Sequence, residues 1–527
     1  MDRTLPSSGK KVQIFNIIAI LLVMAFTLHF SNQEQYNVDP LGCDGFGYAR
    51  QAQLFRDHGL LHGFDTSINT PQVELLVSLA KKVLPNSLSW YEPVAPHCHH
   101  YDDRTGKVIL QYPPGTGLIL ALFPEPRAMP YLLVAGISLT TLVLCWALIG
   151  RRLDALAVVA TCSAFVFLMW VLYTDPVHSS ASVPTTLLLI PASAWLGFAF
   201  LDRSYLSVLA FGLVCGLLVS VRLPNAMILI GFAVQGAISS KLWHWHNVKA
   251  RWKKIATTAV GFLIGVLPVL ISNHINAGGI LHTTYSPIDA SSPVFRHRLI
   301  KEAADYYFSA PAGSIVLIAA ILFIGLGLTA WANDKDKRIP AGTLGAIVTL
   351  LFSLGFFVTH SVHVPYYMMP AGMMAVFMVT IELIKRGESV RRRWWLLVLP
   401  LISVWIVHAH AHIKSYSVTV TSPDDMMASD SVAWADLTSG TFYYYRNRYA
   451  AKLSFADSTT QDTLVDSVMK AGRAQYFILD SSAMKQACDR QALRHGAVYV
   501  GEANAFWSMQ VWKLADNNPA SSKTCSK

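Results

Sequence analysis

The chain has 527 residues, 53% of them hydrophobic and only 14% charged, and its mean hydropathy is +0.39. Those values exclude an ordinary water-soluble fold, which could not hide so much apolar surface. The net charge of +10 falls in Lys and Arg clusters beside apolar runs rather than along one stripe, which argues against nucleic acid as a partner and marks the charge as a topology signal.

In chain order, the first apolar run is Val12–Phe30, preceded by Arg3, Lys10 and Lys11 and lacking a small-residue cleavage site, so it predicts a retained anchor with a cytoplasmic N-terminus. Further runs predict spans at about Pro130–Gly150, Leu153–Tyr173, Ser179–Phe200, Ser204–Ser220, Leu223–Ser240, Ile255–Asn273, Ala312–Asn333, Ile339–Val358, Tyr366–Ile384 and Trp394–Val407. With the anchor they make a polytopic α-helical membrane protein of about eleven transmembrane helices. The basic loops at Arg151/Arg152, Arg203, Lys241 to Lys254, Lys335/Lys337/Arg338 and Lys385 to Arg393 then share one side with the N-terminus, which orients the chain.

That orientation leaves three segments outside the cytoplasm: a long first loop over 31–111, a loop from Ala277 to Pro311, and the tail after His412. The predicted division is a multi-span membrane domain over 1–411 and a small α/β domain, periplasmic in this scheme, over 412–527. In the tail, Val432–Ala435 and Tyr476–Leu479 read as buried strands with a helix over Asp462–Ala471 between them. The apolar stretch Leu118–Phe123 that follows Tyr112-Pro-Pro-Gly-Thr-Gly117 is too short to cross a core of ~30 Å, and predicts a re-entrant segment or one buried against the bundle. Cys43, Cys98, Cys488 and Cys525 fall on the outer side, where an oxidising compartment admits pairing of Cys43 with Cys98 and of Cys488 with Cys525; spacing does not establish it.

The candidate chemistry gathers on that outer side. Cys43-Asp-Gly-Phe-Gly-Tyr-Ala49 opens a short amphipathic helix with Asp44 at its N-terminal end, either as a helix cap or as a functional carboxylate. Asp39, before Pro40, shapes the approach to that helix. Asp175 stands on an outer turn, as a cap before Pro176 or as a functional group beside lipid. Arg222 lies at the outer end of a span, where it can bind a phosphate through paired hydrogen bonds or snorkel to headgroups. Arg296, Arg298 and Lys301 could join it in stabilising a phosphate or form a solvated face. His97-Cys-His-His-Tyr-Asp-Asp103 offers His97, His99 and His100 as metal ligands or forms a polar loop without an established zinc spacing; His178, His360 and His363 also fall near the outer face.

Several of these pieces resemble, in order along the chain, the class C (GT-C fold) membrane glycosyltransferases, which take sugars from polyprenyl-phosphate carriers and include protein O-mannosyltransferases and the aminoarabinose transferase of lipid A. The pieces are Asp44 followed by Tyr48-Ala49 after the first span, Tyr112-Pro-Pro-Gly, Tyr173-Thr-Asp-Pro176, Gly212-Leu-Val-Cys-Gly216 leading to Arg222-Leu-Pro-Asn225, Gly278-Gly-Ile-Leu-His-Thr-Thr-Tyr285, and Tyr366-Tyr-Met-Met-Pro370. Two departures stand out: Gly45-Phe-Gly47 replaces residues that are usually polar in lipid A transferases, and Tyr112 stands where those enzymes carry Lys before the prolines.

The resemblance implies transfer of a sugar from an undecaprenyl-phosphate donor to an envelope lipid, glycan or protein hydroxyl at the periplasmic face of the inner membrane. It implies Asp44 as the base, with Asp175 as a second catalytic carboxylate, and substrate contacts at Tyr48, Tyr112 and Tyr285; by the general logic of cationic clamps the donor phosphate would then fall to Arg222, joined by Arg296 and Arg298. Because some members use a metal near the phosphate, it also admits a divalent metal ion as cofactor. The competing classes are a transporter or flippase, an oligosaccharide ligase using a diphosphate-linked donor, and an assembly protein whose tail does the work. A transporter would place polar residues mid-span within inverted repeats, whereas here they collect at one face.

Overall fold

The computed structural model describes residues 42–83, 93–124, 180–285, 311–334, 339–360, 365–386, 426–436, 438–446, 449–453, 456–504, 508–515 and 520–526, with single positions at 132, 135, 136, 298, 301 and 304. The anchor Val12–Phe30, the spans Leu153–Tyr173 and Trp394–Val407, nearly all of Pro130–Gly150, and Asp39, Asp175, His178, Arg296 and His363 lie outside these residues.

The protein is mostly helical, and its elements run in the order α1 (Gly42–His62), α2 (Pro71–Val83), β1 (His99–Asp102), β2 (Lys107–Leu110), α3 (Pro114–Leu120), α4 (Ser182–Gly197), α5 (Tyr205–Val221), α6 (Ala226–Ser239), α7 (Trp245–Ala277), α8 (Pro311–Ala332), α9 (Ala341–Thr359), α10 (Met369–Arg386), β3 (Val432–Ala435), α11 (Ser439–Arg446), β4 (Ala451–Lys452), α12 (Ser458–Lys470), β5 (Gln475–Ile478), α13 (Ser482–His495), β6 (Ala497–Asn504) and β7 (Ser508–Leu514). Among the described residues α7 and α9 are long and apolar enough to cross a membrane. The chain divides into two compact units. Met1–Asn37, Pro113–Val269 and Asp289–Ser415 form the first; Val38–Tyr112, Leu270–Ile288 and Tyr416–Lys527 form the second.

In the first unit the helices pack through small residues. Gly212 and Gly216 on α5 face Gly261 and Gly265 on α7 so closely that a Cβ on Gly212 would strike the Thr258 carbonyl oxygen and one on Gly265 the Leu213 oxygen. Four residues of spacing put each pair on one helix face, and the missing side chains let the backbones touch. One turn on, Ser220 Oγ donates to the Gly265 carbonyl at 2.8 Å. The seven-residue helix α3, begun by Pro113 and Pro114, buries Gly115 against the last turn of α5, where Thr116 Oγ1 donates to the Val221 oxygen at 3.0 Å. Of the stretch Leu118–Phe123, expected to be re-entrant or buried against the bundle, Leu120 is buried and Leu122 is exposed.

Polar groups in this unit serve helix ends. Buried Glu382 of α10 accepts from the Thr343 backbone N–H at 2.8 Å and its hydroxyl at 3.1 Å, placing a carboxylate at the N-terminus of α9, where amides lack helical partners. Arg203 donates to the Trp195 and Phe198 carbonyls that close α4. The outward surfaces are apolar, with Val260, Leu263, Ile264 and Leu267 exposed on α7, Ile318 and Ile321 on α8, and Leu351 and Phe352 on α9.

The second unit joins first-loop residues to the tail. Its five-stranded sheet has the order β4-β3-β5-β7-β6, with β3 parallel to β4 and β5, and β7 antiparallel to β5 and β6. Trp434 on β3 is fully buried and its indole N–H donates to Gln475 Oε1 at 2.9 Å. One core contains Val73, Leu76 and Ala80 of α2, Tyr101 and Val108 of the β1–β2 hairpin, and Val432, Trp434, Leu464, Val468 and Phe477 of the tail. The loop placed with 1–411 in the sequence reading therefore shares its hydrophobic core with residues of 412–527. Asn276, near the end of α7, secures the segment after α1: it donates to the Phe64 oxygen at 2.8 Å and accepts from the Thr66 N–H at 3.0 Å. Both outer cysteine pairs are bonded, Cys43 to Cys98 and Cys488 to Cys525, with Cα separations of 5.4 and 5.9 Å.

Candidate functional site

The residues Asp44, Gly47, Tyr48 and Gln51 stand at i, i+3, i+4 and i+7 on α1, the spacing of one helix face. That face receives Tyr112. The Tyr112 hydroxyl donates to Asp44 Oδ1 at 2.5 Å, its ring centroid lies 4.4 Å from that of Tyr48, and Gln51 Nε2 donates to its carbonyl at 3.3 Å. Tyr285 meets the Tyr112 ring edge-on at 6.3 Å, and the neighbouring Thr284 hydroxyl donates to the Gln111 carbonyl at 2.8 Å. Asp44, Tyr48, Tyr112 and Tyr285, drawn from three separate segments, thus form one cluster.

Gly47 is the seat of this cluster, because a Cβ there would run into the Tyr112 ring. Phe46, its neighbour, is buried against Gly440 of α11. The two departures noted in the sequence, Gly45-Phe-Gly47 and Tyr112, are therefore a single packed feature: removing the side chain at 47 makes room for the aromatic ring at 112. The spacing along α1 points to Gly47 and Gln51 beside Asp44 and Tyr48, and the Tyr-Pro-Pro-Gly run points to Tyr112; that the two pack together has no local mark in the sequence.

The electrostatics assign the donor and the acceptor. Burial pushes the Tyr112 hydroxyl well above its ordinary range and the Asp44 charge adds to the shift, so the phenol keeps its proton and donates it. Asp44 is half-buried in the first turn of α1, where the helix dipole favours a carboxylate. An ionised carboxylate has about four acceptor sites, so accepting from Tyr112 orients it without exhausting its capacity to take a proton. Tyr48 and Tyr112 are each 2% exposed, which leaves Tyr285, half-buried, as the ring of the three with open surface.

The helix that carries Asp44 is held by a disulfide and by packing of Arg50. The Cys43–Cys98 disulfide fixes its first turn to the start of the hairpin. Arg50 lies over the Tyr443 ring at 4.9 Å, and the same ring meets His99 edge-on at 5.6 Å. The His97 backbone N–H donates to Ser439 Oγ at 2.8 Å, beside the Gly440 contact.

The three histidines offered as metal ligands do not converge. His99 and His100 are successive residues of β1, whose side chains point to opposite faces. His99 is buried, its Nδ1 paired with the His97 carbonyl at 3.2 Å, and burial lowers it to about 3, which keeps the ring neutral. Among the described residues the group that could hold an ion is Cys43, His97 and Cys98, with ligand atoms within 4.8 Å of one another. In this structure both sulfurs are spent in the disulfide, and a metal there would require two thiolates.

Arg222 belongs to the first unit, in the break between α5 and α6 formed by Arg222-Leu-Pro-Asn225. It is buried, with its guanidinium over the Tyr367 ring at 3.7 Å and near Phe357 at 5.2 Å, and Nη1 donates to the Tyr367 carbonyl at 3.3 Å. Stacking engages the faces of a guanidinium and leaves its in-plane donors to other partners. The Arg222 segment and the Tyr366-Tyr-Met-Met-Pro370 segment thus meet. Asn225 is structural, donating to Thr186 Oγ1 at 3.0 Å and the Leu218 oxygen at 2.8 Å. Arg298 is exposed. His360 ends α9, stacked on Phe356 at 3.9 Å.

No protein-family model matches the chain, and no curated protein matches it.

Proposed function

We propose that the protein is a polytopic glycosyltransferase of about eleven spans, GT-C-like, that moves a sugar from a polyprenyl-phosphate donor to an envelope lipid, glycan or protein hydroxyl. The observation that carries the reading is the pairing of distant motif segments: Asp44 with Tyr112 and Tyr285 in one unit, and Arg222 with Tyr367 in the other. Within each unit, segments that resemble that superfamily in order along the chain are in contact, which supports the reading.

The membrane part of the reading is supported by exposure. Only 28% of the apolar window of α7 is buried, against the mostly buried state of a soluble core helix, and the exposed residues Val260, Leu263, Ile264 and Leu267 suit acyl chains. At its N-terminal end Trp245, Lys249, Trp252, Lys253 and Lys254 form the aromatic and basic collar of a cytoplasmic interface. The two disulfides suit an oxidising, periplasmic location for the second unit.

In the reaction, the Asp44 carboxylate takes the acceptor hydroxyl proton as that oxygen attacks the anomeric carbon, and the lipid phosphate leaves with the electron pair of the broken bond. Tyr112 orients the carboxylate, and Arg222 is the candidate for the departing phosphate. The test is transfer of radiolabelled sugar from polyprenyl-phosphate donors to membrane lipids, glycans and proteins by the purified protein. Transfer supports the reading; no transfer with any monophosphate donor, but transfer from a diphosphate-linked one, replaces it with an oligosaccharide ligase.

A further inference from the structure

Two aspartates of the second unit are buried where neighbouring parallel strands end. Asp436 directly follows β3 and Asp480 comes just after β5; they are 8% and 5% exposed. The sheet order β4-β3-β5-β7-β6 sets the place. From the end of β3 the chain leaves through α11 to β4 on one flank, and from the end of β5 it leaves through α13 to β6 on the other. Loops that part in this way open a crevice beyond the carboxyl ends of the strands, the usual place for a ligand in an open α/β sheet.

The two carboxylates differ in their partners. Asp480 is tied into the turn after β3: it accepts from the Asp436 N–H at 3.0 and 2.9 Å, from the Thr438 N–H at 2.8 Å and from the Thr438 hydroxyl at 2.7 Å. Both Thr438 bonds end on Oδ2, so Oδ1 keeps acceptor capacity. No donor among the described residues reaches the Asp436 carboxylate, and its Oδ1 is fully enclosed. The Thr441 hydroxyl, in the first turn of α11, is likewise enclosed and unpartnered among the described residues.

Buried charges are paired or coordinate metals, because an uncompensated one costs several kcal/mol. Neither aspartate has an ion-pair partner among the described residues. Burial raises Asp480 to about 6 and the Asp436 charge adds to that shift, so the two groups lie within electrostatic reach of each other. Asp480 has a place in the turn without a cation; the Asp436 side chain has none. We propose that Asp436 and Asp480 bind a divalent cation of the Mg²⁺, Mn²⁺ or Ca²⁺ class, ions that take carboxylate and other hard oxygen donors. The site is independent of the glycosyl-transfer reading. The cation secures the turn that begins α11, where Ser439 Oγ accepts from the His97 N–H at 2.8 Å and Gly440 packs on Phe46 of α1.

The test uses the full-length protein in detergent at neutral pH, stripped of divalent ions by a chelator that is then removed. Unfolding melts are recorded against added Mg²⁺, Ca²⁺ or Mn²⁺, and bound Mn²⁺ is counted by electron paramagnetic resonance. The expected result is a saturable rise of the midpoint with at least one of the ions and a stoichiometric bound Mn²⁺. Both are lost in Asp436→Asn and kept in Asp430→Asn, whose carboxylate is exposed. Asp436→Ser serves in place of the amide if that variant does not fold. A wild type that binds no Mn²⁺ and shows no rise with any of the ions overturns the site, and so does a rise that persists unchanged in the position 436 variant.

Discussion

Tyr112 and Asp44, 68 residues apart, share a 2.5 Å hydrogen bond in which the phenol donates and the carboxylate accepts. The bond exists because Gly47, one turn along the helix from Asp44, has no side chain to hold the ring away. A helix-forming residue at 47 would be locally better by about 1 kcal/mol, so the glycine marks a site where close approach outweighs helix propensity.

Replacing Tyr112 by Phe keeps the ring in its seat and removes the donor. A hydrogen bond to a charged group is worth about 1.5–3 kcal/mol, so turnover should fall by roughly tenfold to a hundredfold or more. KM for the donor should change little, because the ring packing is unaltered. Gly47→Ala should instead lower thermal stability, by about 1–3 kcal/mol for an overpacked contact; steady-state kinetics and unfolding melts separate the two.

The glycine seam between α5 and α7 makes a stability prediction. Gly216→Leu should lower the midpoint of detergent-solubilised protein, because its Cβ would meet the Phe262 carbonyl, at a cost of about 1–3 kcal/mol or more. Gly325→Ala on α8, where nothing approaches the new methyl, should be neutral or stabilising by about 0.5–1 kcal/mol. Equal effects at both positions would remove the seam as a packing device.

How much of this was legible in the sequence depends on how local the cause is. The α5 helix, Tyr205–Val221, lies within one residue of its expected run at both ends, and β3 has the expected bounds, because apolar periodicity is written into adjacent residues. The β1–β2 hairpin has a local mark as well, Gly106 between the His99-His-Tyr run and Val108-Ile-Leu110, and in the structure that glycine turns at φ +69. The sharing of one core by α2 and β3, and the Asn276–Thr66 bond 210 residues apart, carry no local mark. Long-range pairing of this kind is decided by the whole fold.

Two buried groups make opposing pH predictions for the second unit. Burial raises Asp480 from 3.8 to about 6 although Asp436 and Thr438 donate to it, so its stabilising effect is full below 3.8 and is lost as pH rises through about 6. Burial lowers His99 from 6.5 to about 3, so its effect is full above 6.5 and is lost as pH falls toward 3. Each is worth roughly 3–5 kcal/mol at full extent, and they oppose one another between about pH 4 and 6. Relative to wild type, His99→Asn should gain stability on acidification through that window, and Asp480→Asn should lose it. Unfolding melts at stepped pH read both slopes.

The disulfides should stabilise the second unit by closing long loops. For separations of 55 and 37 residues the chain-entropy estimate is about 4 kcal/mol each. Cys43→Ser should therefore lower the unfolding midpoint and also reduce turnover, since it frees the first turn that carries Asp44, whereas Cys488→Ser should lower the midpoint with less effect on turnover. Non-reducing peptide mapping checks the pairing.

The most direct measurement compares wild type with Asp44→Asn, matched for yield and unfolding midpoint, in transfer of radiolabelled sugar from polyprenyl-phosphate donors. The amide keeps an oxygen to accept the Tyr112 hydroxyl but cannot take a proton. Transfer by wild type that disappears in a correctly folded Asp44→Asn is the predicted result. Equal transfer by both would contradict the assignment of Asp44 as the base.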